Sequence, residues 1–496
     1  MAKRKKATVT TKRKTASKAR AEAVPAGIIE LGDRRELFVD DYLIDRLDRV
    51  ELRLQKPVPR NVAIEHDAPW EGNSSGYHTV FQDGNLFRMY YRGSHFHDGA
   101  YKPVVCYAES RDGIEWYRPE LGVVSYMGST RNNIVWDGSG SMNFTPFRDR
   151  NPDCRKGEEY KALGSPYANN HEGQALLGLK SSDGVHWSLI SDKPVMDHTM
   201  GVNVFDSQNT TFWDRQRGCY VGFYRDSIYP DGVRYRQIMT TTSKDYRRWT
   251  KGQLLDYGEA RLDHLYTNAV TPYYRAPHIY VGFPKRLMQD RSVVGNMAIG
   301  LSDGVFMSSR DGLHFKRWDE AFVRPGLQRE RWETRNNMTA WGILETKNHL
   351  PTAPKELSIF TSEAYYSNGV AGLRRFTLRM DGFVSANAPL RGGELITRPF
   401  TFASPAKALS LNVSTSAAGS ARVEIQDADG KALKGYSLSD CDEIFGDYLD
   451  HTVTWNGAGD VSALIGKPLR LRFALSDADL YSLQFRRIRG RDESKV

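Results

Sequence analysis

The chain has 496 residues, 40% hydrophobic, 11% aromatic and 26% charged, enough for one large core and a second domain. With 43 Gly, 25 Tyr and 10 Trp, the composition suits a turn-rich β protein better than a helical one. No stretch approaches the roughly 18 apolar residues of a membrane-spanning helix, so a membrane partner is not expected.

The formal charge of +9 is concentrated at the start: residues 1–25 hold nine Lys or Arg against the single acid Glu22, which leaves the rest close to neutral. A basic binding face on the folded part is therefore not expected, and attraction to nucleic acid is confined to this leader, residues 1–27, read as disordered. The leader lacks the apolar core of an export signal, so the expectation is a cytoplasmic protein, or an exported one if the true start lies elsewhere. Cys106, Cys154, Cys219 and Cys441 show no CxxC spacing and are read as unpaired thiols.

From residue 28 to 397 the chain repeats itself. "SRDGIEW" at 110–116 returns as "SSDGVHW" at 181–187, "SKDYRRW" at 243–249 and "SRDGLHF" at 309–315, with a fainter "LRMDGF" at 378–383. The aspartates Asp112, Asp183, Asp245, Asp311 and Asp381 are 62 to 71 residues apart, a period that marks a repeated supersecondary unit. Ser-x-Asp-Gly between β-rich runs is a tight turn: Gly tolerates positive φ while the Ser and Asp side chains bond nearby N–H groups. With about four short strands per interval, the sequence predicts five blades of a β-propeller.

Taken in chain order, the first blade opens on "HDAPWEGNSSGYHTVFQDG", with Asp67, Glu71 and His78 before and within a strand at 77–82. In "SHFHDG", His95 and His97 with Asp98 are read as hairpin-tip residues rather than a metal pair, and no metal site is expected. The second blade holds "NFTPFRDRNPD", with Arg148 and Asp149. The third holds "GVNVFDSQNTTFWD", in which Asp206 lies inside an apolar run; burying a carboxylate there demands a partner or a purpose. The last two supply "DHLYTNAVTPYYR", "FPKR" and "RERWETRNNM". Here His264, Tyr266, Asn268, Arg286, Trp332, Arg335 and Asn336 offer flat rings and forked donors of the kind a sugar site uses. From about 398 to 488 alternating strands such as "ARVEIQDADG" and "LRLRFAL" predict a β-sandwich, followed by a tail, 489–496. "DADG" at 427–430 is read as a hairpin turn, because Leu438 stands where a calcium loop places its Glu.

The predicted fold is thus all-β, a five-bladed β-propeller followed by a C-terminal β-sandwich. This order, with "LFVDDYLID", "FDSQNTTFWD" and "DADLYSLQF", resembles glycoside hydrolase family 32, whose propeller is shared with family 43, and a group of family 32-like bacterial proteins. The resemblance covers about residues 35–487. It implies a glycosidase whose carboxyls project into the channel from the first three blades: Asp206 as general acid, Glu71 or Asp67 as base or nucleophile, and Asp149 as transition-state support. The departures are that Asp67 and Glu71 are not in an Asn-Asp-Pro-Asn setting, the Arg-Asp-Pro element carries an insertion, and Asp stands where the family has Glu. A carbohydrate-binding propeller without catalysis, or a protein-interaction platform, are the alternatives. No GxSxG, GxxxxGK[ST] or GxGxxG motif is present, and no cofactor is expected.

Overall fold

The computed structural model describes residues 27–95, 103–166, 174–293, 300–332, 336–367 and 369–487. Among them, five four-stranded antiparallel sheets follow one another along the chain. Blade one is Gly76–Asp83, Leu86–Gly93, Val104–Ser110 and Ile134–Trp136; blade two is Met142–Arg148, Tyr160–Ser165, Leu177–Ser181 and Ser188–Leu189. Blade three is Thr210–Asp214, Cys219–Ile228, Tyr235–Ser243 and Gln253–Leu254. Blade four is Thr271–Tyr273, Ala276–Gly282, Met307–Ser309 and Phe315–Arg317, continued by a three-stranded sheet of His264–Leu265, Lys285–Met288 and Leu301–Gly304. Blade five is Leu344–Thr346, Glu356–Glu363 and Gly372–Leu378, and its fourth strand, Val58–Glu65, comes from the other end of the chain. That strand carries Pro59, which an outermost strand tolerates.

Four apolar clusters lie between the blades and close the ring. Tyr90, Phe144 and Trp187 join blades one and two, Phe147, Tyr246 and Tyr280 join two to four, Val281, Phe306 and Ile359 join four and five, and Phe360, Leu373 and Met89 join five and one.

The repeated turns are as the sequence predicts. In four copies the Ser Oγ accepts from the N–H three residues on, and one Asp Oδ accepts two further N–H groups; at Asp112 these come from Ile114 and Glu115 at 2.8 and 3.0 Å. The fourth position needs φ of +62° to +81°, met by Gly113, Gly184 and Gly312 and, unusually, by Tyr246, whose ring is wholly buried in the core.

The fifth copy departs, because the chain leaves the blade there. Asp381 is fully buried and accepts from Tyr273 at 2.7 Å, Arg275 at 2.8 Å, Ser482 at 2.8 Å and Arg35 at 3.1 Å. It ties blade four to the second domain.

That domain is one ten-stranded sheet around its own apolar cluster. Its strands include Ile29–Gly32, Arg35–Leu37, Ile44–Asp48, Glu51–Leu54, Val384–Ala388 and Gly393–Thr397 as well as those after 398. The sequence predicts a propeller over residues 28–397, whereas Ile29–Gly32, Arg35–Leu37 and the strands of 384–397 pair with the C-terminal strands, and Ile44–Asp48 and Glu51–Leu54 pair in turn with the strands of 384–397. The pairing of the N-terminal strands joins residues more than 300 apart, and no local pattern announces it. The ladder between Ala408–Asp427 and Leu469–Arg486 breaks at Thr415/Ser420, and on either side of the break Leu469–Arg486 meets different neighbours, Gly393–Thr397 before it and Val384–Ala388 after it.

Candidate functional site

A second repeat, less visible in the sequence, explains the far ends of the innermost strands. Asp83, Asp149 and Asp214 each end such a strand, and each accepts a hydrogen bond from a tyrosine of the next blade: Tyr160, Tyr220 (2.7 Å) and Tyr280 respectively. Burial, followed by the accepting carboxylate, pushes the Tyr280 phenol up. Asp149 therefore belongs to a set of inter-blade latches. Its side chain is fully buried, with Lys161 Nζ at 2.5 Å and the Asn151 N–H at 2.9 Å. Arg148 pairs with Asp83 at the same end of the ring.

The other end is built differently. A non-glycine residue with positive φ stands at the entry to the innermost strand of every blade: Tyr77 (56°), Asn143 (53°), Phe205 (68°), Ala269 (43°) and Asn337 (55°). Each such residue carries a local conformational cost that the surrounding hydrogen bonds must hold in place. In "FDSQN" those bonds are legible one by one. Phe205 N–H donates to the Arg225 carbonyl at 2.9 Å, and Asn209 Nδ2 donates to the Phe205 and Ser207 carbonyls at 3.0 and 2.9 Å. Ser207 Oγ reaches the Tyr266 carbonyl at 2.6 Å, and Gln208 Nε2 reaches the His78 carbonyl at 2.9 Å. The amides and hydroxyl hold the turn, and Asp206 is left pointing outward, its side chain 70% exposed against 1% for its partner Arg225.

Asp206 meets Arg225, and side chains of several blades gather about Arg225, Tyr266 and Tyr77. The Arg225 guanidinium lies 4.7 Å from the Tyr266 ring centroid, Lys285 Nζ 3.9 Å and Arg236 Cζ 5.7 Å. Arg92 lies 4.8 Å from the Tyr77 ring and donates to Tyr365 Oη at 2.6 Å, Asn143 Oδ1 at 3.0 Å and the Ser74 carbonyl at 2.8 Å. Burial pushes the Tyr77 phenol well up, reinforced by the neighbouring phenols Tyr266 and Tyr365 and by Asp206. Burial opposes the charge on Arg225, but Asp206 and the Tyr266 and Tyr77 phenols outweigh it and raise its pKa.

The sequence-predicted residues divide sharply. Asp206 and Tyr266 meet at this end, and His264, with Nδ1 3.5 Å from Arg236 and its ring stacked on Tyr235, lies beside them. Asn336 sits behind the wall, taking the Tyr365 N–H at 2.9 Å and so positioning that residue. Asn268 is fully buried and joins innermost strands through Thr210 Oγ1 at 2.7 Å. His78 is buried against His66, Nε2 to Nε2 3.0 Å.

Glu71 is taken up elsewhere. Its buried carboxylate accepts from Tyr91 at 2.5 Å and Arg118 at 2.6 Å, while Asp67 holds the other arm of Arg118 at 2.7 Å. Burial pushes the Glu71 carboxyl up; hydrogen bonding to Arg118 lowers that of Asp67. Arg286 is clamped by Asp303 at 2.7 Å, and Trp332 donates to the Gly326 carbonyl at 2.7 Å. Arg335, like His97 and Asp98, lies outside the described residues.

Asp149 does not join Asp206. It follows Asn143 by six residues along one strand, roughly 20 Å at the usual strand rise.

Tyr77, Arg92, Asn143, Arg225, Arg236, Lys285 and Tyr365 were not singled out by sequence reasoning. The signal at "FPKR" is off by one: alternate strand residues face opposite ways, so Lys285 meets Tyr266 while its neighbour Arg286 turns to Asp303.

The fold is a five-bladed propeller with a buried polar and aromatic cluster at one end, from which Asp206 faces solvent. No protein-family model matches the chain, and no curated protein matches its sequence. Solved structures with partly similar folds include the following. One is a fructofuranosidase from Schwanniomyces occidentalis complexed with fructosylnystose, 11% identical, covering 86% of this chain and 96% of its own, TM-score 0.41. Another is an endo-arabinase from Bacteroides thetaiotaomicron, 9% identical, covering 65% and 98%, TM-score 0.39. A third is an N-acetylgalactosamine deacetylase from F. plautii in complex with blood group B trisaccharide, 12% identical, covering 66% and 96%, TM-score 0.44.

Proposed function

We propose that the protein is a glycoside hydrolase acting on a poly- or oligosaccharide at the Asp206 end of the propeller axis. One observation carries the reading: a solvent-facing carboxylate, fixed by a buried arginine and an over-determined turn, among the rings and donors of Tyr77, Tyr266, Tyr365 and Arg92. Flat rings suit the C–H faces of a sugar and forked donors its hydroxyls. Hydrolysis requires a proton for the departing oxygen and a carboxylate that attacks the anomeric carbon or activates water. Asp206, paired with Arg225 and facing solvent, is the carboxylate this end offers for one of these two duties.

A second reading has its own support. Asp206 is the carboxylate shown in contact with this cluster among the described residues, while Glu71 and Asp149 are committed to buried ion pairs; a binding propeller needs no second carboxyl. Reducing-sugar release from a panel of plant and algal polysaccharides separates the two. The hydrolase reading expects release by the wild type and none by the Asp206→Asn variant, with Asp149→Asn still active where folded. Glycan binding without release by the wild type would move the protein to the binding reading.

A further inference from the structure

We infer that the sugar taken at this end carries an anionic group, a uronate carboxylate or a sulfate; this rests on the carbohydrate reading above and names the substrate class within it. The argument begins with how cations are handled elsewhere in the molecule. Lys161 is buried and meets Asp149 and Glu158; Arg317 meets Asp263 and Asp319; Arg35 meets Asp381 and Asp450. Each of these three has two carboxylates, as the cost of removing a charge from water leads one to expect, whereas buried Arg375 has one, Glu356, and buried Arg331 bonds to the neutral Asn337 Oδ1; Arg317 Nε, too, is buried without a hydrogen-bond partner among the described residues.

At the Asp206 end the balance is reversed. Arg225 is 1% exposed, and its ion pair is with the largely solvated Asp206 through Nη2. Among the described residues, Arg225 Nε and Nη1 are buried without a hydrogen-bond partner, and so is Arg236 Nε. Arg236 reaches the neutral groups Gln289 Oε1 at 3.1 Å and His264 Nδ1, and its pKa is lowered by burial and then by the positive charges of Arg225 and Arg234. Arg234 bonds to Ser227 Oγ at 3.0 Å. Positive charge is therefore gathered beside Tyr266 on neighbouring strands, with donor N–H groups unused. A planar carboxylate or a sulfate supplies the acceptors for such a guanidinium pair, and a sugar ring bearing it lies across the Tyr266 and Tyr235 side of the site. A neutral sugar leaves the repulsion between Arg225, Arg234 and Arg236 in place.

The test is calorimetric titration of the full-length protein with three trisaccharides matched in linkage: a galacturonide, its neutral galactoside counterpart and a sulfated galactoside. We expect one anionic probe to bind at least about tenfold more tightly than the neutral one, with the difference shrinking at high salt. Arg236→Gln should remove most of that preference and Arg236→Lys retain part of it, with thermal melts unchanged. A preference for the galacturonide alone assigns a carboxylate, and for the sulfated probe alone a sulfate. Equal binding of neutral and anionic probes, unaffected by Arg236→Gln, overturns the inference and leaves the carbohydrate reading standing. Binding of none of them, together with no sugar release from the polysaccharide panel, overturns both.

Discussion

Asp149 and Asp206 have similar credentials in the sequence, each an acid in an apolar, β-rich run, yet their surroundings give them opposite consequences. Removing the Asp149 charge leaves Lys161, whose side chain is 2% exposed, without its nearest counter-ion. Loss of one partner from a buried pair typically costs about 3–5 kcal/mol. Asp149→Asn should therefore lower the urea midpoint strongly while leaving ligand binding at the Asp206 end unchanged in the folded fraction. Asp206→Asn should do the reverse: its side chain is largely exposed, so stability should move by no more than about 1 kcal/mol, with sugar release abolished. Equal stability losses in the two variants would contradict this division. The sequence made Asp206 legible because "FDSQN" places its own turn-forming amides beside the acid. It could not separate Asp149 from a catalytic residue, because the latch partner Tyr220 lies in the next blade, 71 residues away.

Elements differ in how locally they are specified. The Ser-x-Asp turns are closed by bonds within five residues and were readable directly; the closing strand Val58–Glu65 pairs with Gly372–Leu378, and nothing near it signals that role. The segment between that strand and blade one holds a feature with a pH signature. His66 is buried, and its pKa is lowered to about 3 by burial and then by Arg118; burial also takes His78 well below the ordinary value. In the unfolded chain both rings accept protons near pH 6.5. Because the folded pKa values are depressed, this stability is fully present above about pH 6.5 and is lost as pH falls below it, by up to about 1.4 kcal/mol per pH unit for each ring. Urea unfolding at pH 7.5 and 5.0 should show that loss, and His66→Gln should flatten the slope. A wild-type midpoint that is constant over this range would rule the buried pair out as the source of acid sensitivity.

At the scale of the whole molecule the two domains are sewn together by residues from both ends. Glu36, on Arg35–Leu37, receives His278 at 3.0 Å and Arg310 at 2.9 Å from blade four, and Asp381 gathers Arg35, Arg275 and Ser482. Burial alone would raise the Glu36 carboxyl, but the hydrogen bond from His278 and the Arg310 charge lower it from 4.5 to about 2. Its contribution is present above about pH 4.5 and disappears as pH falls towards 2, so the joint loosens at pH values below the onset of the histidine transition. A chain begun at residue 66 lacks both the closing strand and this joint. It should expose the Gly372–Leu378 edge, lose cooperative melting and associate on size exclusion; a monomer with unchanged melting would show that the closure is dispensable. The five-blade plan was legible because it repeats, whereas the extent of the second domain was not, because its N-terminal strands find partners more than 300 residues away.

The most direct test of the axial site is a crystal structure of the Asp206→Asn variant with an oligosaccharide that the wild type releases or binds. The account predicts sugar density at the Asp206 end, against the Tyr266 ring and within hydrogen-bond reach of Arg225 or Arg236. Density confined to the blade rims, to the Asp149 end or to the ten-stranded sheet, with the Asp206 end empty, would contradict it.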